Sequence, residues 1–182
     1  MLNSIQCLQT LVLSQNGLSH VPSGLSLPLL RKLWLGGNQI TSLEGFLDAS
    51  GSVPTWLPSL ETLYLHDNAL TCVDAGTLVG MPNLRTLDLA FNAVTEVQDL
   101  HGLWAPMGVC SHLHTLKTND NPLTNQALNT RTHGTRALSA RELVTVLAHY
   151  LPSLSTVDGH TIGDAARWFA TYYNEVSGGS VA

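Results

Sequence analysis

Charge is scarce in this chain. Asp, Glu, Lys and Arg make up 12% of its 182 residues, about half the ~25% usual for soluble domains. Ser, Thr, Asn and His supply the polar surface instead. Basic residues are the scarcer sign, 8 Lys and Arg against 13 Asp and Glu for a net charge of -5, and they form no cluster. That balance argues against a nucleic-acid partner. No apolar run approaches the ~18 residues of a membrane span, so no membrane partner is expected. The N-terminal "MLNSIQCLQT" has no positive charge and no signal-peptide pattern. Three cysteines, Cys7, Cys72 and Cys110, are an odd number at unrelated spacings, which argues against a disulfide framework. No N-x-[ST] glycosylation site occurs. These absences favour a reducing, intracellular compartment. The cytoplasm is the expected location, with a cilium or flagellum, or the nucleus, as alternatives. Nucleophile elbows, P-loops and glycine-rich nucleotide fingerprints are also missing, so no catalytic residues, no metal ligands and no cofactor are expected.

What the chain does have is a repeat. Hydrophobic residues are 44% of it, enough for one domain with a real core. The stretch "LETLYLHDNAL", starting at Leu60, aligns with "LQTLVLSQNGL" from Leu8, "LRKLWLGGNQI" from Leu30, "LRTLDLAFNAV" from Leu84 and "LHTLKTNDNPL" from Leu113. All follow L-x-x-L-x-L-x-x-N-x-L, with Ile40 and Val94 as aliphatic substitutes and Thr118 as a departure. The starts lie 22, 30, 24 and 29 residues apart, within the ~20–29-residue range of leucine-rich repeats, give or take one residue. The expected fold is α/β: a leucine-rich-repeat solenoid with a curved parallel β-sheet on the concave face, irregular or short helical convex segments and a C-terminal helical cap. The L-x-L core reads as a short strand that buries alternate side chains. The turn after it leaves buried backbone groups without partners. An amide carries both donor and acceptor, so Asn16, Asn38, Asn68, Asn92 and Asn121 should form a ladder joining successive turns.

The ends divide the chain. Residues 1–123 read as about five repeats. "MLNSIQC" looks like the end of a preceding repeat, with Leu2 and Ile5 in its core. It has no cap of its own, so that end implies an upstream extension, a covering partner or self-association. Residues 124–176 read as a C-terminal cap with two helices, and 177–182 as a flexible tail. The first helix begins with a capping box, Ser139 and Glu142, and buries Leu143, Leu147 and Tyr150 on one face before Pro152 stops it. The second is expected from about Ile162 to Glu175. Eight histidines invite a metal reading, and "CSHLH" places Cys110, His112 and His114 at alternating positions. No second pair with zinc spacing completes a site, and solvent-facing imidazoles before a strand are the simpler account.

"LPSLSTVDG" (Leu151 to Gly159), following "NPL" (Asn121 to Leu123), resembles the LP-x-L-x-x-LDG element that closes the cap of intracellular leucine-rich-repeat proteins, with Val157 in place of a leucine. That group includes the leucine-rich regulatory subunit of protein phosphatase one, the leucine-rich axonemal dynein light chain and a leucine-rich spliceosomal subunit. The resemblance implies a non-enzymatic binding scaffold or adaptor whose partner is another protein. Two other readings stay open: the repeat domain of a larger signalling or ubiquitin-ligase protein, and a surface or secreted recognition domain, whose repeats "VDAGTLVGMPNLRTLDL" resembles. The residue between the second and third leucines of each motif faces out of the sheet. That column reads Val12, Trp34, Tyr64, Asp88, Lys117, an apolar strip grading into charge. With Lys32, His66 and Phe91 beside it, this column is the candidate partner-binding surface, fitted to a helix or loop lying across the concave face.

Overall fold

A computed structural model describes residues 6–47, 57–105, 110–125 and 137–163. Seven short strands form one open sheet: β1 (Thr10–Val12), β2 (Lys32–Trp34), β3 (Thr62–Tyr64), β4 (Thr86–Asp88), β5 (Thr115–Lys117), β6 (Thr156–Val157) and β7 (His160–Thr161). Their spatial order is their chain order. Strands β1 to β6 run parallel, and β7 returns antiparallel on β6. The register pairs equivalent motif positions, so Leu11, Leu33, Leu63, Leu87, Leu116 and Val157 form one row. Within that row Leu33, Leu63, Leu87, Leu116 and Val157 are buried, while Leu11, at the end of the stack, is only partly covered. Leu8, Leu13 and Leu18 of the same repeat are also partly buried. A stacked repeat hides its leucines only where a neighbour lies on each side. Leu2 and Ile5 lie outside the described residues.

A tight turn precedes each strand from β2 to β6. The N–H of Leu30, Leu60, Leu84, Leu113 and Leu154 bonds the carbonyl three residues earlier, at 3.0–3.1 Å. Four of these turns carry proline at the second position (Pro28, Pro58, Pro82, Pro152), where its fixed φ suits a β-turn. The LP-x-L element of the C-terminal cap is thus the same turn that starts earlier strands. Among the described residues the convex side holds two 3₁₀ helices, Glu44–Phe46 and Val97–Leu103. The second packs so closely on the preceding repeat that a Cβ at Gly102 would lie 2.3 Å from the Asp74 carbonyl oxygen. Helix α1 (Ala140–Tyr150) has the expected capping box: the Ser139 N–H donates to Glu142 Oε2 at 2.9 Å, and the Glu142 N–H to Ser139 Oγ at 3.3 Å. Leu143 and Leu147 are buried; Tyr150 is exposed. The second cap helix and the tail fall outside the described residues, beyond the extended segment at Ile162.

The asparagine ladder forms in four of its five positions. Asn38 Oδ1 accepts from the N–H groups of Asn16 and Leu18, both at 3.0 Å. Asn68 Oδ1 accepts from Ile40, Asn92 Oδ1 from Leu70 and Asn121 Oδ1 from Val94. Each amide nitrogen donates to carbonyls of its own turn and of the repeat before it. Asn16 is exposed, and among the described residues its side chain bonds only within its own turn, to Ser14 O. After β5 a carboxylate continues the pattern. Asp158 Oδ1 accepts from the N–H groups of Thr118 and Asn119, and its Oδ2 from the Thr118 hydroxyl at 2.9 Å. This explains why Thr118 departs from leucine: its hydroxyl, buried at the end of β5, joins the last repeat to the cap.

Candidate functional site

The strand register sets Val12, Trp34, Tyr64, Asp88 and Lys117 side by side on the concave face. Val12 is 61% exposed. Trp34 and Tyr64 are half-buried and lie against each other, with ring centroids 4.0 Å apart and planes tilted 31°. Lys32 is exposed two residues before Trp34 on β2, in a column otherwise made of Thr10, Thr62, Thr86 and Thr115. His66 stands two residues after Tyr64, edge-on to its ring at 6.3 Å. Its imidazole fills the space over Gly36, where a Cβ would lie 2.5 Å from the ring. Glycine at position 36 is therefore what lets His66 lie flat on the sheet beside the aromatic pair.

The charged end of the column differs from a solvated rim. Asp88 is buried, and its Oδ2 accepts from Lys117 Nζ at 3.1 Å while its Oδ1 accepts from the Ala90 N–H at 3.2 Å. His66 Nδ1, buried without a hydrogen-bond partner, lies 4.0 Å from Asp88 Oδ2. Asp88 is thus no free carboxylate at a rim, as the alternation of side chains suggested. The flanking imidazole and the Lys117 stem close over it, and a buried carboxylate needs such pairing. Lys117 keeps part of its side chain in solvent.

Beyond the strands, the residue before each ladder asparagine has positive φ: Gln15, Gly37, Asp67, Phe91 and Asp120, between 54° and 68°. Glycine, Asn and Asp enter this left-handed region readily, and a bulky aromatic does not. Phe91 nonetheless adopts it, with φ 54° and 55% of its surface exposed. Burial therefore gives little return for the strain. Sequence position had placed Phe91 on this face but carried no sign of its backbone conformation.

Elsewhere, an apolar groove of about 510 Å³ runs between the second 3₁₀ helix and α1, lined by Val97, Trp104, Leu123, Leu138, Val146 and Tyr150 among others. Trp104 and Tyr150 stack there at 4.5 Å. In "CSHLH" the cysteine and the imidazoles part company: His112 and His114 are exposed, while Cys110 is buried and its thiol is pushed up to about 12 by desolvation. Among the described residues no group of three or more His, Cys, Asp or Glu could hold a metal ion, and no helix is long and apolar enough to cross a membrane.

Residues 44–94, which span β3, β4 and two ladder asparagines, match the leucine rich repeat family. The chain folds as a leucine-rich-repeat solenoid. A probable U2 small nuclear ribonucleoprotein A' of Caenorhabditis elegans is 32% identical over 92 residues, covering 50% of this chain and 32% of that protein. An uncharacterized leucine-rich repeat-containing protein of Schizosaccharomyces pombe is 36% identical over 101 residues, covering 55% and 15%. The human leucine-rich repeats and immunoglobulin-like domains protein 1 is 34% identical over 93 residues, covering 50% and 8%. The chain thus spans about a third or less of the length of these relatives. Among solved structures, the Drosophila melanogaster SNF/U2A' complex contains a chain that superposes with a TM-score of 0.69 at 22% identity, covering 91% of this chain and 80% of that one. At that identity the likeness is one of fold.

Proposed function

We propose that this protein is a binding scaffold that holds another protein across the concave face of the solenoid, anchored by Trp34 and Tyr64. The observation that carries this reading is the outward aromatic pair beside exposed Val12, with exposed Phe91 on the turn after β4. A sheet face that only met water would carry polar side chains at these positions. Contiguous exposed apolar surface with a polar border marks interaction sites, and Trp and Tyr are enriched among the residues that dominate binding. The architecture supports an adaptor rather than a catalyst, in keeping with the intracellular scaffolds the cap resembles. The relative named for a small nuclear ribonucleoprotein supports the nucleus as a site of action beside the cytoplasm. Relatives several times longer than this chain keep the larger-protein reading in play, and the human relative does the same for a surface domain.

The test is Trp34→Ala and Tyr64→Ala in the full chain, followed by melting temperature and by recovery of bound proteins from native lysate. Truncating such an anchor costs about 2 kcal/mol or more, roughly a thirtyfold loss of affinity. The expected result is normal cooperative unfolding with loss of the proteins the parent retains. Retention of every partner by both folded variants refutes the concave-face reading. Attention then moves to the groove at Trp104 and Tyr150, the second reading that a specific feature favours.

A further inference from the structure

The concave face is electrically divided along the strand direction. At the entry to the strands stand Arg31 and Arg85, just before β2 and β4, and Lys32, the first residue of β2, with Glu61 the one carboxylate among them, 3.2 Å from Arg31. On the rim just after the strands stand Asp67, exposed, and Asp120, partly exposed with its Oδ2 accepting from Asn119 Nδ2 at 2.8 Å, both at the left-handed position of their turns. Val12, Trp34 and Tyr64 run between the two rims, across the strands.

From this division, and resting on the concave-face reading above, we infer that the partner element is an amphipathic helix lying perpendicular to the strands, with an apolar stripe, an acidic flank and a basic flank. The stripe meets Val12, Trp34 and Tyr64. The acidic flank faces Lys32 and its neighbours, and the basic flank faces Asp67 and Asp120. Spacing favours a helix over an extended segment. Adjacent strands lie about 4.8 Å apart, and a helix advances about 5.4 Å per turn, so residues at i, i+3 or i+4, and i+7 offer one side chain per repeat. An extended chain repeats a face only every ~6.8 Å and drifts out of step with the columns. The opposed rims also set direction. Turning the helix end for end would place like charge against like on both sides, and such juxtaposition suppresses the wrong arrangement.

The experiment is a phage-displayed library of 18-residue helices on an alanine scaffold. Leucine is fixed along one stripe, and both flanks are randomised among Glu, Lys and Gln. The 182-residue chain is the bait, with Trp34→Ala as a parallel bait. The expected winners need Trp34 and carry Glu on one flank and Lys on the other. Lys32→Glu should then weaken the best winner at least tenfold, while a clone with Gln flanks changes less than threefold. Winners that need Trp34 but show no flank preference, or one sign on both flanks, overturn the charge-divided helix and leave the concave-face reading standing. Winners indifferent to Trp34→Ala, or no winners above a library with an alanine stripe, overturn both.

Discussion

Replacing Asn92 with leucine tests the force that joins one repeat to the next. The side chain is buried, and leucine keeps its branching at Cγ with two methyl groups bulkier than the amide O and NH₂. Asn92 Oδ1 accepts from the Leu70 N–H at 2.9 Å, and its Nδ2 donates to Leu65 O and Leu89 O, both at 3.0 Å, and to Ala90 O at 3.2 Å. The losses are unequal. Leu65 O keeps Asn68 Nδ2, Leu89 O keeps Asn121 Nδ2 and Ala90 O keeps the Asp67 N–H. The Leu70 N–H is left with no replacement for its amide acceptor. An orphaned buried donor costs about 1–3 kcal/mol, and each of the two shared bonds that the NH₂ group can make at once about 0.5–1. The sum is about 2–5 kcal/mol, or a fall in melting temperature of roughly 4–20 °C for a chain of this size. Asn16→Leu is the control, since the Asn16 side chain is exposed and bonds only Ser14 O of its own turn, while its backbone N–H keeps Asn38; a surface change of that kind stays within about 0.5 kcal/mol. Urea unfolding of both variants beside the parent gives the answer. Equal midpoints for Asn92→Leu and Asn16→Leu would refute the assignment of the ladder as the inter-repeat tie.

Three further outcomes are expected. Thr118→Val removes the hydroxyl bonded to Asp158 while the two backbone donors to that carboxylate remain; urea unfolding should show a loss of about 1 kcal/mol, and an unchanged midpoint would mean the hydroxyl contributes nothing to the joint. Phe91→Asn replaces a strained, exposed aromatic by a residue at ease with positive φ; it should raise stability by about 0.5–1 kcal/mol while lowering partner recovery, and a gain in both properties would remove Phe91 from the binding surface. Alkylation at pH 8 followed by mass spectrometry should label exposed Cys7 first. Burial raises the Cys110 thiol to about 12, so little thiolate exists there at pH 8 and the residue should react only on unfolding.

Leucine positions were legible because each one meets its own equivalents. A residue whose neighbours above and below are copies of itself has its environment written in the repeat, so the strands, their parallel register and the buried row could be read directly. The same logic found the ladder, and it failed at Asn16, where no described turn lies on the preceding side to receive the amide. Thr118 was visible as a departure but not as a bond, because its partner Asp158 lies forty residues onward in the cap. The proline turns could have been read and were not. Leu-Pro-x-Leu stands in the cap and again at Leu27–Leu30 and Leu57–Leu60, with Met-Pro-x-Leu at Met81–Leu84.

The face that meets a partner obeys a different rule, and this limits what spacing can reveal about it. Outward residues are not copies of one another: valine, tryptophan, tyrosine, aspartate and lysine stand in one column. Their direction follows from alternation, but their accessibility depends on what stands next to them. Asp88 shows the difference. Alternation points it outward, and it does leave the sheet on that side, yet Lys117 bonds it from the next strand and His66 crowds it from the one before. That arrangement depends in turn on Gly36, two strands away from Asp88, whose missing Cβ gives the imidazole its place. Gly36→Ala therefore reaches the binding face without touching a partner. The added methyl must displace His66, uncover Asp88 and disturb the ring set against Tyr64. Binding through Trp34 and Tyr64 should weaken although neither anchor has changed, with the leucine row and cooperative unfolding preserved. Full partner recovery by folded Gly36→Ala would show that His66 takes no part in shaping the face.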